Sequence, residues 1–405
     1  MNATFIYHSR MDIDSTRQFT PIGYTTFRNE HKPFGIKLPD RFSHIYSIGK
    51  TGSGKTTLLL NMALDDIKKG HGVVLIEPHG DACKALLACM PTERMKDVVY
   101  FDTTDPRQCQ GFNPLYNVPV DERHLVASEI VLSFKKIWGD SWGPRLEYIL
   151  RYAILTLLEY PTATLLDIQP LLLDKGFRNL VLQFTNNGAI LSFWHNEFDT
   201  YSQSLKTEII MPILNKAGVF GAHTILRSIV GQQENINIEE IMNEGKILIC
   251  NLSKGIIGDD VSQILGSLLT TAIQTTAMRR AKFLEQERKP FMVYIDECHS
   301  FISSSFAGML SEVRKYKVGL YLTHQYMAQL PEEVRSGILG NVGTIICFRL
   351  GTADAKIMED EFYPVFTVED FVNLPRFHIY LKLLINGVGS KGFSAMVIKG
   401  LEDLI

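Results

Sequence analysis

The eight residues Gly49–Thr56 constrain the fold of this chain more than any other segment. Their sequence, Gly-Lys-Thr-Gly-Ser-Gly-Lys-Thr, is the phosphate-binding loop pattern G-x-x-x-x-G-K-[ST]. Glycines let such a loop turn its backbone N–H groups inward, and the following helix adds free N–H groups and its positive dipole end. We therefore expect a strand over residues 44–48 and a helix over residues 56–64. An accidental glycine-rich turn is the alternative, and this context argues against it.

The loop pattern assigns separate roles to two of its side chains. Lys55 is expected to reach the β- and γ-phosphates of a nucleoside triphosphate as a catalytic cation. The Thr56 hydroxyl is expected to bind Mg²⁺. The residues predicted to contact the nucleotide are Gly49, Lys50, Thr51, Gly52, Ser53, Gly54, Lys55, Thr56 and Thr57.

A second strand supplies the groups that hydrolysis needs in addition. The apolar run 291–295 ends in Asp296 and Glu297, and two carboxylates at the end of a buried strand are costly unless something compensates them. Asp296 is predicted to hold Mg²⁺, and Glu297 to polarise the attacking water as general base. Solvation at the strand end is the alternative. Gln325, after the next strand, is predicted to sense the γ-phosphate or orient water, with a structural amide as an equal alternative.

Transition-state charge calls for a cation beyond Lys55. Arg314, at the end of a predicted helix, is the candidate, as an arginine finger that reaches a neighbouring subunit's nucleotide. Neutralisation of the helix C-terminus is its alternative role. Arg227, Arg349 and Lys254 are weaker candidates, each acting within its own chain or serving as a surface charge.

The order of apolar runs predicts an α/β fold divided by a helical insertion. Continuous apolar strands such as 73–76 are typical of a parallel sheet, whereas helical periods dominate from about residue 121 to 235. The predicted segments are a β-rich lead-in (1–43), the first part of the core (44–120), an all-α insertion (121–235) and the second part of the core (236–405). Strands at 380–385 and 394–398 are expected to form a terminal hairpin or a pair of edge strands.

Composition limits the function classes. With 41 basic and 44 acidic residues, the net charge is −3, which argues against a protein coated in basic surface. A local basic channel is nevertheless sufficient for binding nucleic acid. The basic run 279–282 is balanced by Glu285 and Glu287 and is expected to be a solvated helix face. Six scattered cysteines without a C-x-x-C pair argue against zinc and favour reduced thiols. No apolar run reaches 18 residues, so we expect no transmembrane helix.

Five motifs occur in a selective order: the loop itself, Glu77-Pro78-His79-Gly80-Asp81, Asn251-Leu252-Ser253-Lys254-Gly255, Asp296-Glu297, and Thr323-His324-Gln325. Together they resemble the HerA/FtsK branch of P-loop ATPases, especially the TraD/TraG-like coupling proteins of conjugative type IV secretion. The resemblance runs from about residue 35 to 384. Glu77 stands where aspartate is more usual. Asp81 is expected to be the N-cap of a helix over 82–90, with a ligand role as its alternative.

The resemblance implies a RecA-like core interrupted by an all-α domain, and hexameric rings that hydrolyse ATP with Mg²⁺ at subunit interfaces and move DNA through a central channel. Arg314 falls where these ATPases place their finger, and Gln325 matches their motif glutamine. Pore loops are expected at Lys254–Gly258 and Ser300–Ser305, with a flexible polar loop as the alternative for the serines.

The resemblance leaves the partners of the ring open. They are expected to be a relaxase and secretion-channel proteins, or, in a HerA-like scaffold, a nuclease or other effector. A DNA-packaging motor shares the same chemistry. The membrane-bound coupling proteins carry N-terminal transmembrane helices, so this chain is expected to be cytoplasmic, without direct membrane insertion, or peripheral at the inner membrane through partners.

Overall fold

A computed structural model of the chain describes residues 19–26, 31–105, 109–233 and 235–400. The chain divides into two compact units, the first made of Met1–Tyr100, Ile238–Asn251 and Thr276–Ile405, the second of Phe101–Asn237 and Leu252–Thr275. The predicted insertion, residues 121–235, falls within the second unit. Residues 1–18 of the predicted β-rich lead-in lie outside the described residues.

The first unit is built on an eleven-stranded sheet with the order β2-β1-β13-β10-β9-β3-β8-β7-β4-β6-β5. Its strands are β1 Phe19–Thr25, β2 Pro33–Lys37, β3 Ile45–Ile48, β4 Gly72–Glu77, β5 Val98–Asp102, β6 Ile247–Asn251, β7 Phe291–Ile295, β8 Val318–His324, β9 Thr344–Cys347, β10 His378–Lys382 and β13 Phe393–Val397. A separate two-stranded hairpin joins β11 Leu384–Ile385 to β12 Val388–Gly389.

The helices, in chain order, are α1 Leu38–Arg41, α2 Lys55–Lys68, α3 Asp81–Ala88, α4 Arg123–Trp138, α5 Pro144–Leu157, α6 Ile168–Leu173, α7 Lys175–Leu182, α8 Gly188–Ser192, α9 Gln203–Ala222, α10 Thr224–Val230, α11 Ile238–Glu244, α12 Lys254–Ile257, α13 Asp259–Arg279, α14 Ser304–Glu312, α15 Glu332–Asn341, α16 Thr352–Phe362 and α17 Val368–Val372. Within the described residues no single helix is long and apolar enough to cross a bilayer, and only α9 and α10 pass that test together, bent by 90°.

The centre of the sheet is parallel. Strands β9, β3, β8, β7, β4 and β6 pair in parallel, and β4 and β7 are buried along their whole lengths. Such burial on both faces explains why these strands read as continuous apolar runs. The predicted α/β class is confirmed. Because parallel strands end at one edge, the loops that follow them share that edge.

The antiparallel strands complete the sheet on one side. β10 pairs with β9 and β13, and β13 pairs with β1, so the two predicted C-terminal strands form an antiparallel pair. The edge-strand alternative is wrong, because β1 and β2, from the start of the chain, pair beyond them. The N-terminal strands thus protect the C-terminal pair from forming an exposed edge.

A buried ion pair ties helix α2 to the sheet. The guanidinium of Arg41 donates to Asp66 at 2.7 Å and to the Tyr294 hydroxyl at 2.7 Å, and Arg41 and Asp66 are 2% and 0% exposed. Tyr294 in turn donates to Asp66 at 2.5 Å. Burial alone would raise the pKa of Asp66, but the Arg41 charge and the hydrogen bonds of His71 and Tyr294 lower it. This carboxylate is therefore held in its charged form.

Arg280 corrects the prediction of a solvated basic face. Its side chain is 1% exposed and donates to Asn243 Oδ1 at 3.1 Å, to the Tyr316 carbonyl at 3.0 Å and to the Met242 carbonyl at 2.8 Å. These acceptors come from segments remote in sequence, so local charge balance gave no sign of them. Burial, and next the charge of Arg288, lowers the pKa of Arg280 to about 10.

The second unit is helical in its described residues apart from its connections. Its core contains Trp194, which is fully buried and donates from Nε1 to the Thr156 hydroxyl at 2.8 Å. Phe193, beside it, stacks on Tyr152 with ring centroids 4.2 Å apart. Such aromatic packing gives this unit a core of its own.

Candidate nucleotide site

The residues predicted to handle nucleotide meet at the carboxyl edge of the parallel strands. In the sheet register Ile48 lies opposite His324, and Ile295 lies opposite Leu322. The loop after β3, Gln325 after β8 and Asp296 after β7 therefore emerge side by side. This edge is where open α/β sheets bind ligands.

The loop 49–54 is held in place from outside. Lys50 N donates to the Arg349 carbonyl at 2.8 Å, and Phe377 N donates to the Ser53 carbonyl at 2.9 Å. Gly54 takes φ +118 as it opens helix α2, a torsion that side chains disfavour. At Gly49 a Cβ would lie 2.5 Å from the Cβ of Phe348. The glycines are thus needed for close approach as well as for torsion.

Lys55 is the first residue of helix α2 and is 6% exposed. Its ammonium donates to the carbonyls of Gly49 at 2.5 Å and Lys50 at 3.2 Å. Burial lowers its pKa, and the charges of Glu297 and Asp296 partly oppose that shift. The cation therefore lies beneath the loop, with two carboxylates near it.

Asp296 and Glu297 are 5% and 7% exposed. Burial, and next the charge of Glu297, raises the pKa of Asp296 to about 6. Asp296 Oδ2 lies 3.4 Å from the Thr56 hydroxyl, and Oδ1 accepts from Glu297 N at 2.9 Å. Glu297 itself has a left-handed backbone, φ +46. Two buried acids next to each other form a site that a cation would stabilise.

Gln325 connects the two halves of the site. Its Nε2 donates to Glu297 Oε1 at 2.6 Å, and its Oε1 accepts from the Thr51 hydroxyl at 3.0 Å. A change in the loop at Thr51 therefore reaches the Glu297 carboxylate through one side chain. The structure brings together Lys55, Thr56, Asp296, Glu297 and Gln325.

Sequence reasoning missed four polar residues behind Glu297. His299 lies with Nδ1 3.4 Å from Glu297 Oε2, and Gln329, His324 and Tyr46 continue from it into the core. The available signal was the presence of Tyr46 and His324 in strands that are buried along their whole lengths. Polar groups buried in strands need partners, and this could have drawn attention to them.

The motif after β4 contains Glu77 and Asp81, and the structure contradicts the expectation for Asp81. Glu77 accepts from the backbone N–H groups of His79 at 2.7 Å and Gly80 at 2.5 Å, so it fixes the turn after β4. Asp81 is not the N-cap of helix α3. Gly80 takes that position with φ +92, and Asp81 is the exposed first helical residue. Only the glycine suits a left-handed cap.

Arg314 lies away from this chain's own site. It belongs to the 3₁₀ turn Val313–Tyr316 that leads into the amino end of β8, whereas Gln325 follows the carboxyl end of that strand. Seven residues of strand separate the two ends by roughly 20 Å. Arg314 is close enough to His44, which precedes β3, to affect its pKa. Burial, and to a lesser extent the Arg314 charge, lowers the pKa of His44 to about 4. Arg314 is thus at the opposite edge of the sheet from Lys55.

The weaker cation candidates are scattered. Arg349 is exposed beside the loop, where its carbonyl holds Lys50. Arg227 is exposed in helix α10 of the second unit. Lys254 begins the short helix α12, also in the second unit. Of these three, only Arg349 belongs to the same unit as the loop.

The two pore-loop candidates are not free loops. Residues 254–257 form helix α12, in which Ile257 is buried and Ile256 is 60% exposed. In the serine-rich segment Ser300, Phe301 and Ile302 are buried, and residues 304–305 belong to helix α14. The expectation of a flexible polar loop is therefore wrong for residues 300–302, whose apolar members pack into the core.

Comparison with known proteins identifies solved structures that have a similar fold. No protein-family profile and no curated protein matches the chain, but solved structures do. Plasmid coupling protein TrwB with the ATP analogue ADPNP has TM-score 0.65 and 15% identity, covering 98% of this chain and 95% of that one.

Two further solved structures are similar over nearly the same length. VirB4 of Thermoanaerobacter pseudethanolicus has TM-score 0.66 and 13% identity, covering 95% of this chain and 97% of that one. The unbound bacterial conjugative coupling protein TrwBdeltaN70 has TM-score 0.63 and 13% identity, covering 93% and 89%. The predicted resemblance is confirmed at the level of fold: this chain has the P-loop ATPase fold of TrwB and VirB4.

Proposed function

We propose that this chain is an ATPase of the coupling-protein type, which hydrolyses ATP in a ring of subunits and moves DNA through it. One observation carries the ATPase part: the segments that follow three strands, β3, β7 and β8, bring together at one edge of the sheet Lys55, Thr56, Asp296, Glu297 and Gln325. Binding alone needs only the loop. The added carboxylates and glutamine are the groups that hydrolysis requires.

The residues fit a nucleoside triphosphate. The loop glycines, the buried Lys55 and the N-terminus of helix α2 together make a phosphate cradle. TrwB, which shares the fold, has been solved with ADPNP. We therefore assign residues 49–57 to ATP binding.

The residues also fit Mg²⁺. Thr56 Oγ1 and Asp296 Oδ2 lie 3.4 Å apart, and both are the hard oxygen ligands that Mg²⁺ prefers. Burial and the charge of Glu297 raise the pKa of Asp296, so a bound cation would relieve like-charge repulsion. TrwB has been solved with ADP and Mg²⁺. When bound, Mg²⁺ supplies electrostatic stabilisation of the phosphate charge.

The side chains divide the remaining work. Lys55 binds the phosphates as a fixed cation, and the low exposure of the site strengthens that attraction. Glu297 accepts the proton of the attacking water through its carboxylate. Gln325 donates to Glu297 Oε1 and accepts from the Thr51 hydroxyl, so it connects the loop to Glu297. Water activation is thereby linked to loop occupancy.

We infer that Arg314 completes the site of a neighbouring subunit. It is exposed and lies at the sheet edge opposite to Lys55, so it cannot reach its own site, yet a ring would bring that edge toward the next subunit. A cation there would stabilise transition-state charge, as arginine fingers do. This assignment supports a homo-oligomer, with a hexamer as the proposed ring.

We propose DNA as the translocated polymer, gripped through phosphate contacts that do not depend on sequence. The similarity of fold to a conjugative coupling protein supports this proposal. Relaxase or secretion-channel proteins are the proposed further partners. The proposed location is the cytoplasm, at the inner membrane when those partners recruit the ring.

A DNA-dependence assay tests the function. Purified protein is given ATP and Mg²⁺, and phosphate release is measured with no DNA, single-stranded DNA or double-stranded DNA. We expect DNA to stimulate turnover, and Glu297→Gln to bind ATP while turning over at least a hundredfold more slowly. ATP turnover that ignores both DNA forms would refute the translocase and favour a nucleotide-gated scaffold for an effector.

A mixing assay tests the assignment of Arg314. Arg314→Ala and Lys55→Ala are each expected to be inactive. Their mixture should regain activity, because some interfaces pair an intact Lys55 with an intact Arg314. Lys315→Ala, which removes the adjacent exposed cation, is the matched control and should stay active. Rings that form in the mixture without any activity would contradict the assignment.

A further inference from the structure

A line of polar side chains leads from the core to the general base. Tyr46 OH lies 2.5 Å from His324 Nε2, and His324 Nδ1 lies 3.4 Å from Gln329 Oε1. Gln329 Nε2 lies 3.3 Å from His299 Nε2, and His299 Nδ1 lies 3.4 Å from Glu297 Oε2. We call these five residues the polar line. Each link joins a potential donor to a potential acceptor.

The direction of every hydrogen bond follows from the Gln329 amide. Its Oε1 accepts from the backbone N–H groups of Gln325 and Tyr326, both at 3.1 Å. A backbone N–H can only donate, so Oε1 is fixed as the oxygen. The amide nitrogen must then face His299, where it donates.

The tautomer of His299 follows in turn. Its Nε2 receives the Gln329 amide N–H, and the Ser300 hydroxyl, 3.4 Å away, can also donate there. In a neutral imidazole one nitrogen accepts and the other donates. The proton of His299 is therefore on Nδ1, and that nitrogen faces Oε2 of Glu297.

The core end of the polar line has the same direction. His324 must donate from Nδ1 to Gln329 Oε1, which leaves Nε2 to accept from the Tyr46 hydroxyl at 2.5 Å. The other acceptor beside that hydroxyl, Met327 Sδ at 3.2 Å, is a weak one. Burial, and next the charge of His299, lowers the pKa of His324 to about 3. His324 is thus neutral, as this arrangement requires. All four links point their protons toward Glu297.

We propose that His299 is a positioning residue for Glu297, which holds the second carboxylate oxygen while Gln325 holds the first. The inference rests on the proposed role of Glu297 as the base. Gln325 Nε2 is 2.6 Å from Oε1. His299 Nδ1 is 3.4 Å from Oε2, a buried carboxylate oxygen that accepts no hydrogen bond from any other group among the described residues. Holding both oxygens fixes the carboxylate plane, and each oxygen keeps a further lone pair with which it can accept a proton.

The test is a comparison of three variants at His299. His299→Leu removes the donor, and kcat should fall by about tenfold to a hundredfold, the factor that loss of one charge-assisted hydrogen bond produces. KM for ATP and the Kd of a fluorescent ATP analogue should change less than about twofold, because the contacts described above join His299 to Glu297, Ser300 and Gln329. His299→Asn places an amide N–H near the position of Nδ1 and should recover most of kcat. His299→Gln, with its amide one bond farther out, should not.

The double variant with Glu297→Gln separates positioning from general loss of structure. On that background, His299→Leu should lower the residual rate by less than about twofold, because no carboxylate is left to position. His195→Leu, the same change at an exposed histidine of the second unit, is the control and should leave kcat unchanged. If wild-type protein turns over ATP but His299→Leu keeps its kcat, or Asn and Gln rescue equally, the inference is wrong. If wild-type protein does not turn over ATP, the proposed function fails instead.

Discussion

Replacing Asp296 by asparagine should stabilise the ligand-free protein while removing its activity. Asp296 is 5% exposed, and burial together with Glu297 raises its pKa from 3.8 to about 6. One pKa unit corresponds to about 1.4 kcal/mol, so a shift of roughly two units makes the charged form cost up to about 3 kcal/mol. Asparagine removes that charge and can still accept from Glu297 N through Oδ1, a contact of 2.9 Å in the wild type.

The effect has a defined pH dependence. Because the folded pKa of Asp296 is above its unfolded value, the folded state binds the proton more tightly, and wild-type stability declines as pH rises from about 4 to 6. The advantage of Asp296→Asn should therefore be absent near pH 4 and full at pH 7 to 8. These pH values follow from the unfolded pKa of 3.8 and the folded pKa of about 6 for Asp296.

Urea unfolding followed by far-UV circular dichroism, with EDTA and without nucleotide, measures this difference. Asp81→Asn is the matched control, since Asp81 is an exposed carboxylate at the same sheet edge. Its effect should stay within about 1 kcal/mol and change little with pH. An Asp296→Asn protein that is no more stable than wild type at pH 8 would refute the reasoning. Excess Mg²⁺ and ATP should reduce or reverse the difference, because Asp296→Asn lacks a Mg²⁺ ligand and Mg²⁺ with ATP therefore binds and stabilises the wild type more strongly.

Two further stability predictions use matched neighbours. Asp66→Asn leaves its buried arginine partner without a counter-charge and should lower the free energy of unfolding by about 3–5 kcal/mol. Asp65→Asn loses only a partly exposed pair with a lysine, so its effect should stay within about 1 kcal/mol. Urea unfolding midpoints compare the two variants, and equal losses of stability would contradict the ion-pair argument. Gly49→Ala places a Cβ 2.5 Å from a phenylalanine Cβ, so it should cost about 1–3 kcal/mol and weaken ATP binding. In Gly52→Ala the added Cβ meets no atom within 4 Å, and the only cost is the left-handed φ of +73. A loss of about 1–2 kcal/mol in stability is therefore expected. ATP titrations in which Gly52→Ala binds ATP more weakly than Gly49→Ala would contradict this reasoning.

The sequence could predict which strands carry the candidate site because the rule involved is local. A strand that ends in Asp296-Glu297, and another that ends before the glycine-rich loop, must share an edge if they are parallel. The spacing of apolar runs was enough to identify both strands. The same rule accounts for Gln325 after β8.

The contacts that escaped prediction depend on partners far apart in the chain. Tyr24 pairs with Met396 in the sheet, and no period in either segment indicates that pairing. The buried state of Arg280 depends on the carbonyls of Met242 and Tyr316, which are far from it in the sequence. The acidic residues next to the basic run therefore gave no information about this burial. His299 follows Glu297 by two residues, yet its orientation is set by Gln329 from the next strand's connection. Such information resides in packing.

The left-handed torsion of Glu297 decides where its carboxylate can go. Successive side chains of a strand point to opposite faces of the sheet, so Asp296 and Glu297 on an ordinary strand would be separated by the sheet itself. With φ +46 at Glu297, the chain leaves the pleat at that residue, and both acids can serve Lys55 from one side. A residue with a side chain bears about 1–3 kcal/mol in such a torsion. Glycine at 297 would be the more relaxed choice for folding, so the backbone strain at this position has to be offset by contacts elsewhere in the fold.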